Sequence, residues 1–78
     1  MKHSAIVCEY GWIICGVIVD EKADAFRVTD ASVVRKWSNG KGIGGIAYSE
    51  SKDEYTLDYI GEVLIQKSKI LFVIPCEW

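Results

Sequence analysis

Seventy-eight residues with a formal net charge of -2 make one small domain, 1–78, and argue against a general nucleic-acid binder, whose affinity comes mostly from a basic excess that neutralises phosphates. Half of the residues are hydrophobic and 12% are aromatic, which excludes a disordered chain. A chain this short buries only about 60% of the surface its unfolded form exposes, so it needs a staple or a partner. Cys8, Cys15 and Cys76 contain no C-x-x-C pair and admit one disulfide at most. The only histidine, His3, is read as part of a mobile terminus, so no zinc spacing exists and no metal or cofactor is expected. Self-association, as a homo-oligomer, is the supplement left.

In chain order, Ala5 to Glu9 reads as a short strand and Tyr10-Gly11 as a bend or bulge. Trp12 to Val19 is rich in β-branched residues and reads as a central strand, with Gly16 marking a kink or a close backbone approach. This run is the longest apolar one; its eight residues are far short of the roughly 20 that a membrane helix needs. With no evident signal peptide, a soluble intracellular chain with reduced thiols is expected. Asp20 to Asp24 is a polar hairpin loop. Ala25 to Thr29 alternates, Phe26 and Val28 on one face, Arg27 and Thr29 on the other, as a half-buried strand does. Asp30 is read as a turn into another strand, Ser32 to Trp37.

Residues Gly40 to Gly45 form a glycine-rich loop. Starting within it, Ile43, Ile46 and Ala47 fall at i, i+3 and i+4, which predicts a short helix over an open end of the sheet. Ser49 to Glu54 is polar, and Tyr55 to Ile60 is ambiguous. Gly61 reads as a turn, Glu62 to Ile65 as a strand, Gln66 to Lys69 as a tight polar hairpin, and Ile70 to Ile74 as the last strand, ended by Pro75. The sum is an all-β domain: a small SH3-like or Sm-like curled sheet or barrel of five to six short strands with one short helix.

The stretch Ala31 to Ala47 holds three of the nine Lys and Arg residues (Arg35, Lys36, Lys41) and no acid. Its glycines fit G-x-G-x-x-G, but a Rossmann unit needs a parallel βαβ crossover that this chain has no room for. A Walker A loop fails because Gly42 stands where the hydroxyl residue after Lys41 belongs. The stretch Lys36-Trp37-Ser38-Asn39-Gly40-Lys41-Gly42-Ile43-Gly44-Gly45-Ile46 also resembles, with one residue missing, the first RNA-binding motif of cold-shock proteins. Ser38, Ile43 and Gly45 replace the stacking aromatics, however, so the mechanism is lost. Two readings of the glycines remain. They supply positive φ at a sharp turn, or their bare amides, with Arg35 and Lys41 beside them, bind an anion. On the second reading the ligand-binding residues are Arg35, Trp37, Lys41, Gly42, Gly44, Gly45 and Tyr48, with Trp37 stacking on a base. No catalytic residues are assigned, because no serine has a base and the acids cluster at loop tips. The three cysteines read as small buried hydrophobes.

Val33-Val34-Arg35-Lys36-Trp37, Lys41-Gly42-Ile43-Gly44 with Ala47, Leu57-Asp58-Tyr59-Ile60-Gly61-Glu62-Val63 and Ile74-Pro75-Cys76 resemble an uncharacterised family of very short phage- and prophage-encoded all-β proteins. Their pattern is V-I-R-x-W-G-x-x-K-G-[LI]-G-x-[LI]-A followed by L-D-x-x-G-x-V. Ser38 and Tyr59 depart from it. The resemblance implies a phage setting, in the host-cell cytoplasm, and no particular activity. Two functions are therefore expected in competition. One is a non-enzymatic binding module that sequesters an anionic, nucleotide-derived immune signal. The other is an oligomeric interaction or structural protein with no small-molecule ligand.

Overall fold

The computed structural model describes residues 2–37, 45–46 and 55–78. The described residues form five strands: β1 (Ser4–Cys8), β2 (Ile13–Glu21), β3 (Ala25–Trp37), β4 (Tyr55–Gln66) and β5 (Ile70–Pro75). They form one antiparallel sheet in the order β4-β3-β2-β1-β5, left unclosed with β4 and β5 at its two edges. Short 3-10 turns, Glu9–Gly11 and Lys67–Lys69, make the connections β1–β2 and β4–β5. The all-β curled sheet expected from the residue pattern is what forms. Of the expected short helix, residues 45 and 46 are described and are helical; the others lie outside the described residues.

The central strands are apolar on both faces because both faces are covered. Ala5, Ile13, Cys15 and Val34 pack with Ile46 and Cys76 in one cluster. Ile6, Cys8, Val28, Ala31 and Ile65 form the other, with Phe26, Val63 and Ile70 against its rim. Successive residues of β1 thus go to opposite clusters, as period-two alternation requires. The first cluster is roofed by Ile46, which is fully buried, and by Trp78. The residue that follows the glycine loop therefore belongs to the core.

Gly16 is the close approach its position in β2 suggested. A Cβ there would lie 2.5 Å from Val28 Cγ1 and 3.1 Å from both Ala31 Cα and Thr29 O. Four sequence readings are corrected. Asp30 does not end a strand: β3 runs on through it for 13 residues, with Asp30 at φ 50° in a bulge between Val28 and Ala31. Gly61 does not turn the chain either: β4 is continuous for 12 residues, Gly61 sits at φ 82° opposite Ala31, and the ambiguous stretch before it is strand. Trp12 precedes β2 and is 58% exposed, so it is not a core residue of that strand. His3 is fixed, as described below. A left-handed residue serves a turn and a bulge equally well, so the local signal at Asp30 and Gly61 did not distinguish them.

All three cysteines are buried and free, as small core hydrophobes. Burial pushes the Cys15 thiol up to about 12 from the usual 9.0, and the neighbouring Cys76 adds to the rise. Cys15 is therefore expected to react with a thiol reagent at neutral pH only at the rate of global unfolding. The sign of the pH effect follows: the unfolded chain releases this proton first, so the contribution of Cys15 to stability is complete below pH 9 and falls as pH rises toward 12. Mass-spectrometric labelling over a pH series checks both points, and rapid labelling of Cys15 at neutral pH would refute them.

Candidate binding surfaces

The glycine-loop candidates divide by place. Lys41, Gly42, Gly44 and Tyr48 lie outside the described residues. Gly45 is buried beside Ile46. Arg35 is near the end of β3, and Trp37 closes that strand opposite Tyr55. The ladder shifts register between Val34 and Lys36, so strict period-two alternation does not carry from Val34 to Trp37. Arg35 is exposed and its Nη1 lies 3.4 Å from Asp58 Oδ2 on β4. An exposed pair of this kind contributes about 0–1 kcal/mol. It also supplies the acid that the linear stretch lacked, because β3–β4 pairing sets Asp58 opposite Val33.

Ile46 is tied down by Trp78. Its indole Nε1 donates to the main-chain oxygen of Ile46 at 2.8 Å. Trp78 is in turn held by His3, whose main-chain N–H donates to Trp78 O at 3.0 Å and whose ring stacks on the indole at 4.7 Å. The His3 ring nitrogens face two acceptors, Trp78 O at 3.0 Å and Asp30 Oδ2 at 2.7 Å. A cavity of about 140 Å³ lies beside this cluster, between His3, Cys15, Asp30 and Leu57. It is smaller than the roughly 300 Å³ at which ligand pockets begin.

A ligand-sized concavity lies elsewhere. A groove of about 350 Å³ runs between the β1–β2 turn and the end of β4, lined by Tyr10, Trp12, Ile14, Val63, Leu64 and Lys69. It is apolar, with one exposed ion pair at its rim, Lys69 Nζ to Glu9 Oε2 at 3.7 Å. Tyr10 is 95% exposed and sits at φ 62°. A bulky side chain in the left-handed region stores of order 1–3 kcal/mol, and here no burial of the ring offsets it. Tyr10-Gly11 reads in the chain as a bend or bulge, with Trp12 next to it. Its pairing with Leu64 needs the β4 strand to return past the first turn, which only the topology supplies.

The outer surface continues this apolar character. Tyr59, Ile60 and Leu64 on β4 and Leu71 and Phe72 on β5 are all exposed. Among the described residues, five of the eight large exposed hydrophobic ones thus lie on the two edge strands, and two more, Tyr10 and Trp12, border the groove beside β4. No described helix is long and apolar enough to cross a membrane. No protein family, curated protein or solved structure matches this chain.

Proposed function

We propose that this chain is a non-enzymatic interaction module that works as a homo-oligomer, with a phage setting as its expected context. The observation that carries the reading is the gathering of exposed Tyr59, Ile60, Leu64, Leu71 and Phe72 on the two edges of an unclosed sheet. Single exposed apolar residues are ordinary; an exposed apolar set concentrated on two unpaired edge strands supports a contact surface there. Burying it supplies the free energy that a 78-residue core lacks. Sedimentation at micromolar concentration is expected to give a species of several times 8.7 kDa. A stable monomer at that concentration would overturn the reading.

A second reading keeps an anionic, nucleotide-derived ligand at the glycine loop, sequestered by Arg35, Trp37, Lys41, the amides of Gly42, Gly44 and Gly45, and Tyr48. It is favoured by one observation. The loop starts from a strand end and returns to a buried residue, Ile46, that Trp78 holds by a hydrogen bond. Anchoring both ends lowers the ordering cost of binding. Against it, Arg35 already has Asp58 as a partner. Charge-assisted hydrogen bonds contribute roughly 1.5–3 kcal/mol each, so Lys41→Ala is expected to weaken binding about tenfold or more. Calorimetry against cyclic and ADP-ribose-type nucleotides is the measurement. No heat with any of them, or equal affinity in Lys41→Ala, leaves the interaction reading alone.

A further inference from the structure

The two edges of the sheet are different strands. β4 has the sequence YTLDYIGEVLIQ and β5 the sequence ILFVIP. Natural edge strands are guarded against pairing by Lys, by Pro within the strand, by inward charge or by bulges, and of these β4 carries the bulge beside Gly61. β4 contains no Lys, Arg or Pro, and β5 contains no charged residue and only a terminal proline, Pro75. The two acids of β4 are already engaged across β3, Asp58 with Arg35 and Glu62 with Arg27. Among the described residues nothing pairs the outer side of either strand. Both edges instead present exposed large apolar side chains, Leu64 at 60% and Leu71 at 64% foremost.

We propose that the outer edge of β4 in one copy accepts β5 of a second copy, so that the sheet continues from chain to chain and the incoming Leu71 covers Leu64 and the groove beside it, with Phe72 on the opposite face of the continued sheet. The proposal rests on the homo-oligomer reading above and specifies its contact. Main-chain hydrogen bonds supply the affinity in such strand addition and alternate side chains supply the register. The groove is continuous with the accepting edge, since Val63 and Leu64 line it. The contact is head-to-tail, so every copy carries one donor and one acceptor, and assembly proceeds until the rotation closes a ring. It also explains why one polypeptide leaves its sheet open: a neighbour completes each edge.

Two variants test this, each blocking one edge at an exposed residue. Leu64→Lys disables the acceptor and Leu71→Lys the donor. Each alone is expected to sediment as an 8.7 kDa monomer with an unchanged far-ultraviolet spectrum. Mixed together they are expected to form a dimer and nothing larger, because only the β4 edge of Leu71→Lys and the β5 strand of Leu64→Lys remain competent. If either variant loses its sheet spectrum, Ile60→Lys and Phe72→Lys replace the pair. A monomeric parent chain would overturn both this proposal and the reading beneath it. An oligomeric parent with either variant still self-associating, or with the mixture remaining monomeric, would overturn the β4–β5 contact alone.

Discussion

Ile6→Ala is expected to lower the stability of this domain by about 2–5 kcal/mol, the range for removing a large aliphatic side chain from a closed core. Ile6 is fully buried in the middle of β1, with Ile14 of β2 and Val73 of β5 as its cross-strand partners. It packs in the cluster with Cys8, Val28, Ala31 and Ile65. The truncated side chain leaves a hole that its neighbours are poorly able to fill. Val28 is held between Ile18 and Val63 by ladders on both sides, and Ile65 is held opposite Phe26. At roughly 0.05–0.15 kcal/mol per residue, the whole domain has about 4–12 kcal/mol to lose. The substitution therefore removes a large share of the total. A thermal melt followed by circular dichroism is the measurement, made at one protein concentration because self-association shifts the midpoint. Lys22→Ala, in an exposed loop, serves as the control and is expected to stay within about 0.5 kcal/mol of the parent. A midpoint for Ile6→Ala equal to that of the control would refute the packing described.

Gly16→Ala is the second large effect, and it runs against the usual benefit of replacing glycine. Alanine stiffens the unfolded chain and on that count stabilises by about 0.4–1 kcal/mol. Here the new methyl group meets Val28 Cγ1 at 2.5 Å and main-chain atoms of Ala31 and Thr29 at 3.1 Å. Val28 is completely buried, so rotating it away drives it into the second cluster, while the β3 main chain is fixed by its own ladders. Overpacking of this kind costs about 1–3 kcal/mol, which outweighs the entropic gain. The cause is space and not backbone conformation, and that is separately testable. Val28→Ala in the same chain makes room for the new methyl group, so the double variant is expected to lose less than the sum of the two single losses. Strict additivity would show that Gly16 is required for some other reason.

Elements built from local pattern were legible in the chain. Alternation at Ala25 to Thr29 and the β-branched run around Gly16 mark β-strands, and the chain forms strands there. Cys8, Cys15 and Cys76 read as buried hydrophobes and are buried. Of the proposed ligand residues, Arg35 and Trp37 fall on β3 as expected and Gly45 is buried next to a core isoleucine. Lys41, Gly42, Gly44 and Tyr48 lie outside the described residues.

Whatever depended on residues far apart in the chain was decided by the tertiary structure. His3 reads as a terminal residue by position, yet it stacks on Trp78, 75 positions away, because β1 and β5 are neighbours in the sheet. Arg35 looks like an unopposed cation until β4 returns Asp58 beside it. Asp30 and Gly61 each carry a turn signal, but they meet across one ladder, where a bulge on each strand bends the sheet without ending it. The identity of the edge strands has the same origin. Periodicity reports which face of a strand is apolar and is silent about its neighbours, so β4 and β5 are apolar strands in sequence and become exposed edges only once the order of the sheet is set.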